Sequence, residues 1–91
     1  MNILAIDIGN TRIKWGFSES GTWLRQGWVK TDSAGALAAE FAGLPVAQRT
    51  VISNVAGAAL RAQVAASLNP AAPQPLWIAS ALLLFGVLAF R

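Results

Sequence analysis

Hydrophobic and polar positions change rhythm repeatedly along the chain, and each change predicts an element. Residues 2–8, NILAIDI, are a nearly continuous apolar run rich in β-branched side chains, the pattern of a buried strand. Gly9-Asn10 breaks it with two residues that tolerate left-handed backbone at little cost, a strong turn signal. Residues 11–17 then alternate: Thr11, Ile13, Trp15 and Phe17 share one face, and Arg12, Lys14 and Gly16 the other. A second turn at residues 18–21 leads into residues 22–30, TWLRQGWVK, a third strand with Trp23 and Trp28 as its bulk. The opening is therefore a β-meander with its polar cluster at the first turn.

The rhythm next becomes helical. Residues 34–43 are rich in helix formers, Asp32 or Ser33 can cap their start, and Gly43 and Pro45 end them. Residues 49–54, RTVISN, form a short strand. Residues 57–68 place Leu60, Val64 and Leu68 on one helical face. Residues 69–75, NPAAPQP, cannot extend that helix because proline lacks the amide donor. The predicted order is β-β-β-α-β-α, followed by an apolar tail over residues 76–90 that precedes Arg91. The tail is short for a membrane span, which needs about 20 apolar residues. A strand followed by a core helix, or an interfacial segment, fits it better.

Composition narrows the class. The chain has 91 residues, enough for one domain, and is 55% hydrophobic and 12% charged. That balance excludes disorder and suggests a partner surface, a membrane segment or part of something larger. Without cysteine or histidine there are no disulfides, no thiol chemistry and no usual zinc site. Acid–base work would fall to Asp7, Glu19, Asp32 and Glu40, the four carboxylates. The net charge of +3 comes from scattered bases, which argues against nucleic-acid binding. The N-terminus lacks a basic leader and its apolar run contains Asp7, so a secretory signal is not expected and a cytoplasmic location is.

The candidate chemistry lies in Asp7, Ile8, Gly9, Asn10, Thr11, Arg12, Ile13 and Lys14. A phosphate chain needs donors without steric bulk. Gly9 permits close backbone approach, Asn10 and Thr11 add an amide and a hydroxyl, and Arg12 and Lys14 add positive charge on one strand face. Asp7, at a strand end, could hold a hydrated Mg²⁺, which takes only one or two carboxylates. The same residues also suit a purely structural hairpin corner, because Gly-Asn is a favoured turn and Asp can satisfy turn amides. Neither a P-loop nor a dinucleotide fingerprint is present. Asp32 and Glu40, at and within the predicted helix, read as capping and solvated residues. The four tryptophans read as core filling, with some left exposed to the detriment of solubility.

IDIGNTRIKWG, residues 6–16, resembles the first phosphate motif of type III pantothenate kinase, in the acetate-kinase/sugar-kinase/actin-like superfamily. ISNVAG, residues 52–57, resembles the family's next segment, where a strand ends and a helix begins. The resemblance implies an α/β fold, an incomplete ribonuclease-H-like (actin-like ATPase) domain with a mixed sheet. Residues 1–80 would be its N-terminal half, and residues 81–91 an apolar tail departing from the pattern. It implies ATP-dependent phosphorylation of pantothenate to 4′-phosphopantothenate, the first step of coenzyme A biosynthesis. In such kinases the segment matching Asp7 to Lys14 binds the ATP phosphates and the aspartate matching Asp7 helps place Mg²⁺. A monovalent cation (K⁺ or NH₄⁺) and a homodimer are further family properties.

The sequence departs from the family after Trp77 and Gly86-Val87. The family's Gly-Val-x-Asn-x-Tyr stretch is not completed, and the Leu-Gly-x-Asp-Arg motif with the catalytic base and the second phosphate motif do not follow. The resemblance therefore assigns no catalytic base here. Two origins fit: the N-terminal piece of a kinase cut by a frameshift or early stop, or a shortened homologue that binds without catalysing transfer. Phosphoryl transfer requires nucleotide, metal and acceptor to be positioned together, so little or no turnover is expected from these residues alone. The alternative function is a non-catalytic ATP- or phosphate-binding or assembly module. A small membrane-associated protein is the weakest alternative.

Overall fold

Apolar side chains on both faces and a central position in the sheet make β1 (Asn2–Ile8) the spine of the molecule. The structure, a computed structural model, describes residues 1–78. β1 pairs antiparallel with β2 (Arg12–Glu19), which pairs antiparallel with β3 (Thr22–Lys30), so the predicted meander forms. On its other side β1 pairs in parallel with β4 (Arg49–Asn54), and β4 in parallel with β5 (Leu76–Ile78). The five-stranded mixed sheet has the order β3-β2-β1-β4-β5. A bulge between Phe17 and Ser18 shifts the β2–β3 register past Leu24.

Period-two alternation sorts the strands into two faces. Leu4, Ile6, Ile8, Ile13, Trp15, Phe17 and Ile52 turn to one side and are buried with Ala34, Leu37 and Val64. The opposite face carries fully buried Ala5 with Trp23, Val51 and Ile78 packed against it. α2 (Ala58–Ser67) meets the core through buried Val64, flanked by Leu60 and Leu68 as its spacing predicted.

The first helical region departs from expectation. It is a 3-10 segment, Thr31–Ala36, that runs into a five-residue α1 (Leu37–Phe41). Neither Asp32 nor Ser33 caps α1. Its cap is Ala36, which offers no side-chain acceptor, and Ser33 instead breaks the helical dihedrals with φ −120° and ψ 35°. Tertiary anchoring at both ends outweighs alanine's helix propensity: Thr31 is tied to the β1–β2 turn and Leu37 is fully buried. The tail begins as the expected strand, β5, while the expectations for residues 79–91 lie outside the described residues. No helix among the described residues is long and apolar enough to cross a membrane.

Candidate phosphate-binding site

Parallel pairing of β1 and β4 brings two loops to the same, carboxyl end of the sheet: residues 9–11 after β1 and residues 55–57 after β4. This is where ligands gather in open sheets with parallel strands. The Val55 amide donates to the Ile8 carbonyl at 3.1 Å, tying the second loop to the first. Asn54 organises that loop, accepting from the Ala56 amide at 2.8 Å and donating to the Gly57 carbonyl at 2.9 Å. Gly57 has φ +97° and ψ −178°, a conformation essentially restricted to glycine.

Asp7 lies on the sheet face opposite the helices, in register with Lys14 on β2 and Ser53 on β4. It is half-buried, and that desolvation raises its pKa, with the Lys14 charge opposing the shift. Ser53 is fully buried, and its hydroxyl has no hydrogen-bond partner among the described residues. A partly desolvated carboxylate at a strand end, offset by one lysine, suits a cation that brings its own water ligands. No group of three or more acidic, histidine or cysteine side chains that could hold a metal exists among the described residues. The donor set thus fits hydrated Mg²⁺ on one carboxylate and no all-protein metal cage.

The turn after Asp7 is tight for a reason other than the one its sequence suggests. Gly9 and Asn10 are absent from the positive-φ residues, so neither uses left-handed backbone. Gly9 is needed for close approach instead. Its amide donates to the Arg12 carbonyl at 3.0 Å, and a Cβ on Gly9 would lie 3.0 Å from that same oxygen. Ile8 and Ile13, in register with each other, close the hairpin with fully buried side chains, so only their backbone is available to a ligand.

Asn10 and Thr11 are exposed. Together with Arg12, Trp28, Lys30 and Asp32 they line a groove of about 380 Å³. The Arg12 guanidinium lies 4.6 Å from the centre of the Trp28 ring, which holds it beside the turn by a cation–π contact. Lys14 faces Asp7 on one side and Trp28 on the other. Arg12 and Lys14 thus share the face that their alternation predicted, next to the only turn-flanking carboxylate on β1.

Several residues of this groove escaped the sequence reading. Trp28 is 52% exposed, one of the tryptophans that the composition leaves uncovered, and it supports Arg12; extending the alternation of β2 across the hairpin places it on the charged face. Asp32, which its position suggests as a cap, instead lines the groove and accepts from the Ser33 hydroxyl at 3.3 Å. Lys30 and Thr31 carried no local signal. Glu40, which the helical pattern places in solvent, accepts from Trp15 Nε1 at 3.3 Å on the helical side of the sheet, away from the turn. A larger cavity of about 560 Å³ lies between α2 and the proline-rich connection, lined mostly by alanine and proline. Arg61, stacked 4.3 Å over Trp77, is the one charged side chain among the described residues there.

Comparison with known proteins agrees with the motif. The family model for type III pantothenate kinase matches residues 3–88. The type III pantothenate kinase of Aromatoleum aromaticum is 42% identical over 76 residues, covering 84% of this chain and 31% of that protein. Those of Nitrosospira multiformis and Nitrosomonas eutropha are 38% and 42% identical, covering 84% of this chain in each case and 29% and 30% of theirs. The chain thus spans about 30% of the length of the curated relatives it matches. With a match running over nearly all its residues, the chain belongs to the type III pantothenate kinase family.

Proposed function

We propose that Asp7 and the turn that follows it, residues 8–14, form the ATP-phosphate cradle of a pantothenate-phosphorylating kinase of coenzyme A biosynthesis. The observation that carries this reading is the placement of Asp7, half-buried beside Lys14 at the carboxyl end of the central strand, next to an exposed Asn10-Thr11 turn. Asp7 would hold the hydrated Mg²⁺, which when bound neutralises charge on the phosphate oxygens. Arg12 and Lys14 supply positive charge on the same face, and the exposed side chains of Asn10 and Thr11 supply further donors.

The sheet order and the β-β-β-α-β-α-β sequence support an actin-like, ribonuclease-H-like half-domain over residues 1–80. The monovalent cation, the homodimer and the cytoplasmic location belong to the same proposal and rest on the family. For these 91 residues alone, as the N-terminal part of such a kinase, we propose phosphate binding with little or no phosphoryl transfer; the alternative is a non-catalytic binding or assembly module. The support for little or no transfer is local: Glu40 lies on the other side of the sheet and Asp32 is exposed at the rim of an open groove, so neither carboxylate stands beside Asp7 where an acceptor hydroxyl would meet the phosphates.

A titration with Mg·ATP tests both parts, following tryptophan fluorescence and pantothenate phosphorylation. Trp28, beside the turn, is the expected reporter. Saturable binding that Asp7→Asn weakens at least tenfold, without product, is the expected outcome; about 1.4 kcal/mol corresponds to that factor. Turnover by the 91-residue chain would refute binding without transfer, and absence of binding would refute the cradle.

A further inference from the structure

The connection between β3 and the 3-10 segment touches the phosphate turn twice through one residue. The Thr31 hydroxyl donates to the Gly9 carbonyl at 2.7 Å, and the Thr31 amide donates to the Thr11 carbonyl at 3.0 Å. A threonine at the start of a helical segment ordinarily spends its hydroxyl locally, on the first free amides of that segment. Here the hydroxyl crosses 22 positions of sequence to reach the turn instead. Thr31 is only 8% exposed, and its hydroxyl bond to Gly9 is partly buried.

Peptide geometry gives these two bonds a consequence. In a planar trans peptide the carbonyl and the following amide point in opposite directions. Holding the Gly9 carbonyl towards Thr31 therefore turns the Asn10 amide away from it. Holding the Thr11 carbonyl towards Thr31 does the same to the Arg12 amide. The Gly9 amide is already committed to the Arg12 carbonyl within the turn. The two bonds thus fix the direction of two backbone donors on either side of the Asn10 and Thr11 side chains.

We infer that Thr31 is a positioning residue of this site, clamping the 9–12 turn so that the Asn10 and Arg12 amides are pre-aimed at a polyphosphate. The inference rests on the reading of residues 7–14 as an ATP-phosphate cradle and adds a residue outside that motif. Thr31 touches no ligand; it acts through the turn. Its contribution is preorganisation, because a turn already held in its binding geometry loses less entropy when phosphate arrives.

The test uses the 91-residue chain labelled with ¹⁵N, titrated with Mg·ATP, and compares wild type, Thr31→Val and Thr31→Ser. Valine keeps the branched shape and removes the hydroxyl; serine keeps the hydroxyl. Expected are a Kd for Mg·ATP about tenfold weaker in Thr31→Val and within about twofold of wild type in Thr31→Ser, the scale of the net contribution of one neutral hydrogen bond. Backbone order parameters at Asn10 and Arg12 should fall in Thr31→Val and recover in Thr31→Ser, while strand amides of β1 and β4 keep their wild-type shifts and report an intact fold. Thr31→Ala replaces Thr31→Val if the latter does not fold. Binding by wild type that loss of the hydroxyl leaves unchanged would overturn the Thr31 assignment alone. No Mg·ATP-dependent shifts in wild type would overturn the cradle and this inference with it.

Discussion

Asp7 is the residue where function and stability pull apart. Burial raises its pKa more than Lys14 lowers it, so the folded chain favours the neutral acid relative to the unfolded chain. The linkage sign follows. The folded state binds this proton more tightly, so stability from Asp7 is full below its ordinary value of 3.8 and is lost as pH rises through the raised folded value. At neutral pH an ionised Asp7 is a net cost to the free protein. Asp7→Asn is therefore expected to unfold at a higher temperature than wild type at pH 7, with the difference vanishing near pH 3 to 4. Thermal unfolding across that range checks it; a less stable variant at pH 7 would show that the Lys14 attraction outweighs burial. The place of Asp7 near a strand end and of Asn10 and Thr11 in the turn after it was legible because it follows from local alternation and turn chemistry. The roles of Trp28 and Asp32 were not, because exposure depends on what packs beside them.

At the scale of elements, the strands and α2 follow local periodicity, and their bounds match the sequence pattern closely. The segment between β3 and β4 does not. Its alanine-rich composition favours one helix, yet five residues of α1 are too few to be stable without tertiary contacts. Leu37, fully buried in the main core, is what holds it. Leu37→Ala is expected to cost about 2–5 kcal/mol, the range for emptying a well-packed leucine site. Urea unfolding followed by circular dichroism measures it. A cost under about 1 kcal/mol would mean that α1 is held elsewhere, for example by Phe41 against Trp15, whose rings meet edge to face at 5.3 Å. Such a loss should also weaken Mg·ATP binding, since the same segment carries Thr31.

For the whole molecule, the sheet order decides where chemistry collects. Placing β1 between an antiparallel and a parallel neighbour puts the Asp7 turn and the Asn54 loop at one end, joined by the Val55–Ile8 bond. Among the described residues the same order leaves β3 as a nine-residue edge strand, with Leu24 56% and Trp28 52% exposed. Long edges with exposed apolar side chains are templates for pairing with another chain. The 91-residue chain is expected to self-associate with rising concentration, and Leu24→Lys to suppress this while leaving Mg·ATP binding unchanged. Light scattering coupled to size exclusion reads the outcome; a wild-type chain of constant single-chain mass at all concentrations would refute it.

What the sequence determined by itself are the features set within a few residues: the strand alternation, the hairpin turns, the apolar stripe of α2, and the acid–glycine–amide–hydroxyl order that marks the family. These depend on backbone preferences and side-chain chemistry acting over one or two turns of chain. The tertiary structure alone decided the Thr31 clamp on a turn 22 residues away, the seating of Arg12 on Trp28, the burial of Ser53 and the raised pKa of Asp7. Each depends on strand register and on how much water the packed chain excludes, and neither quantity is carried by any single stretch of residues.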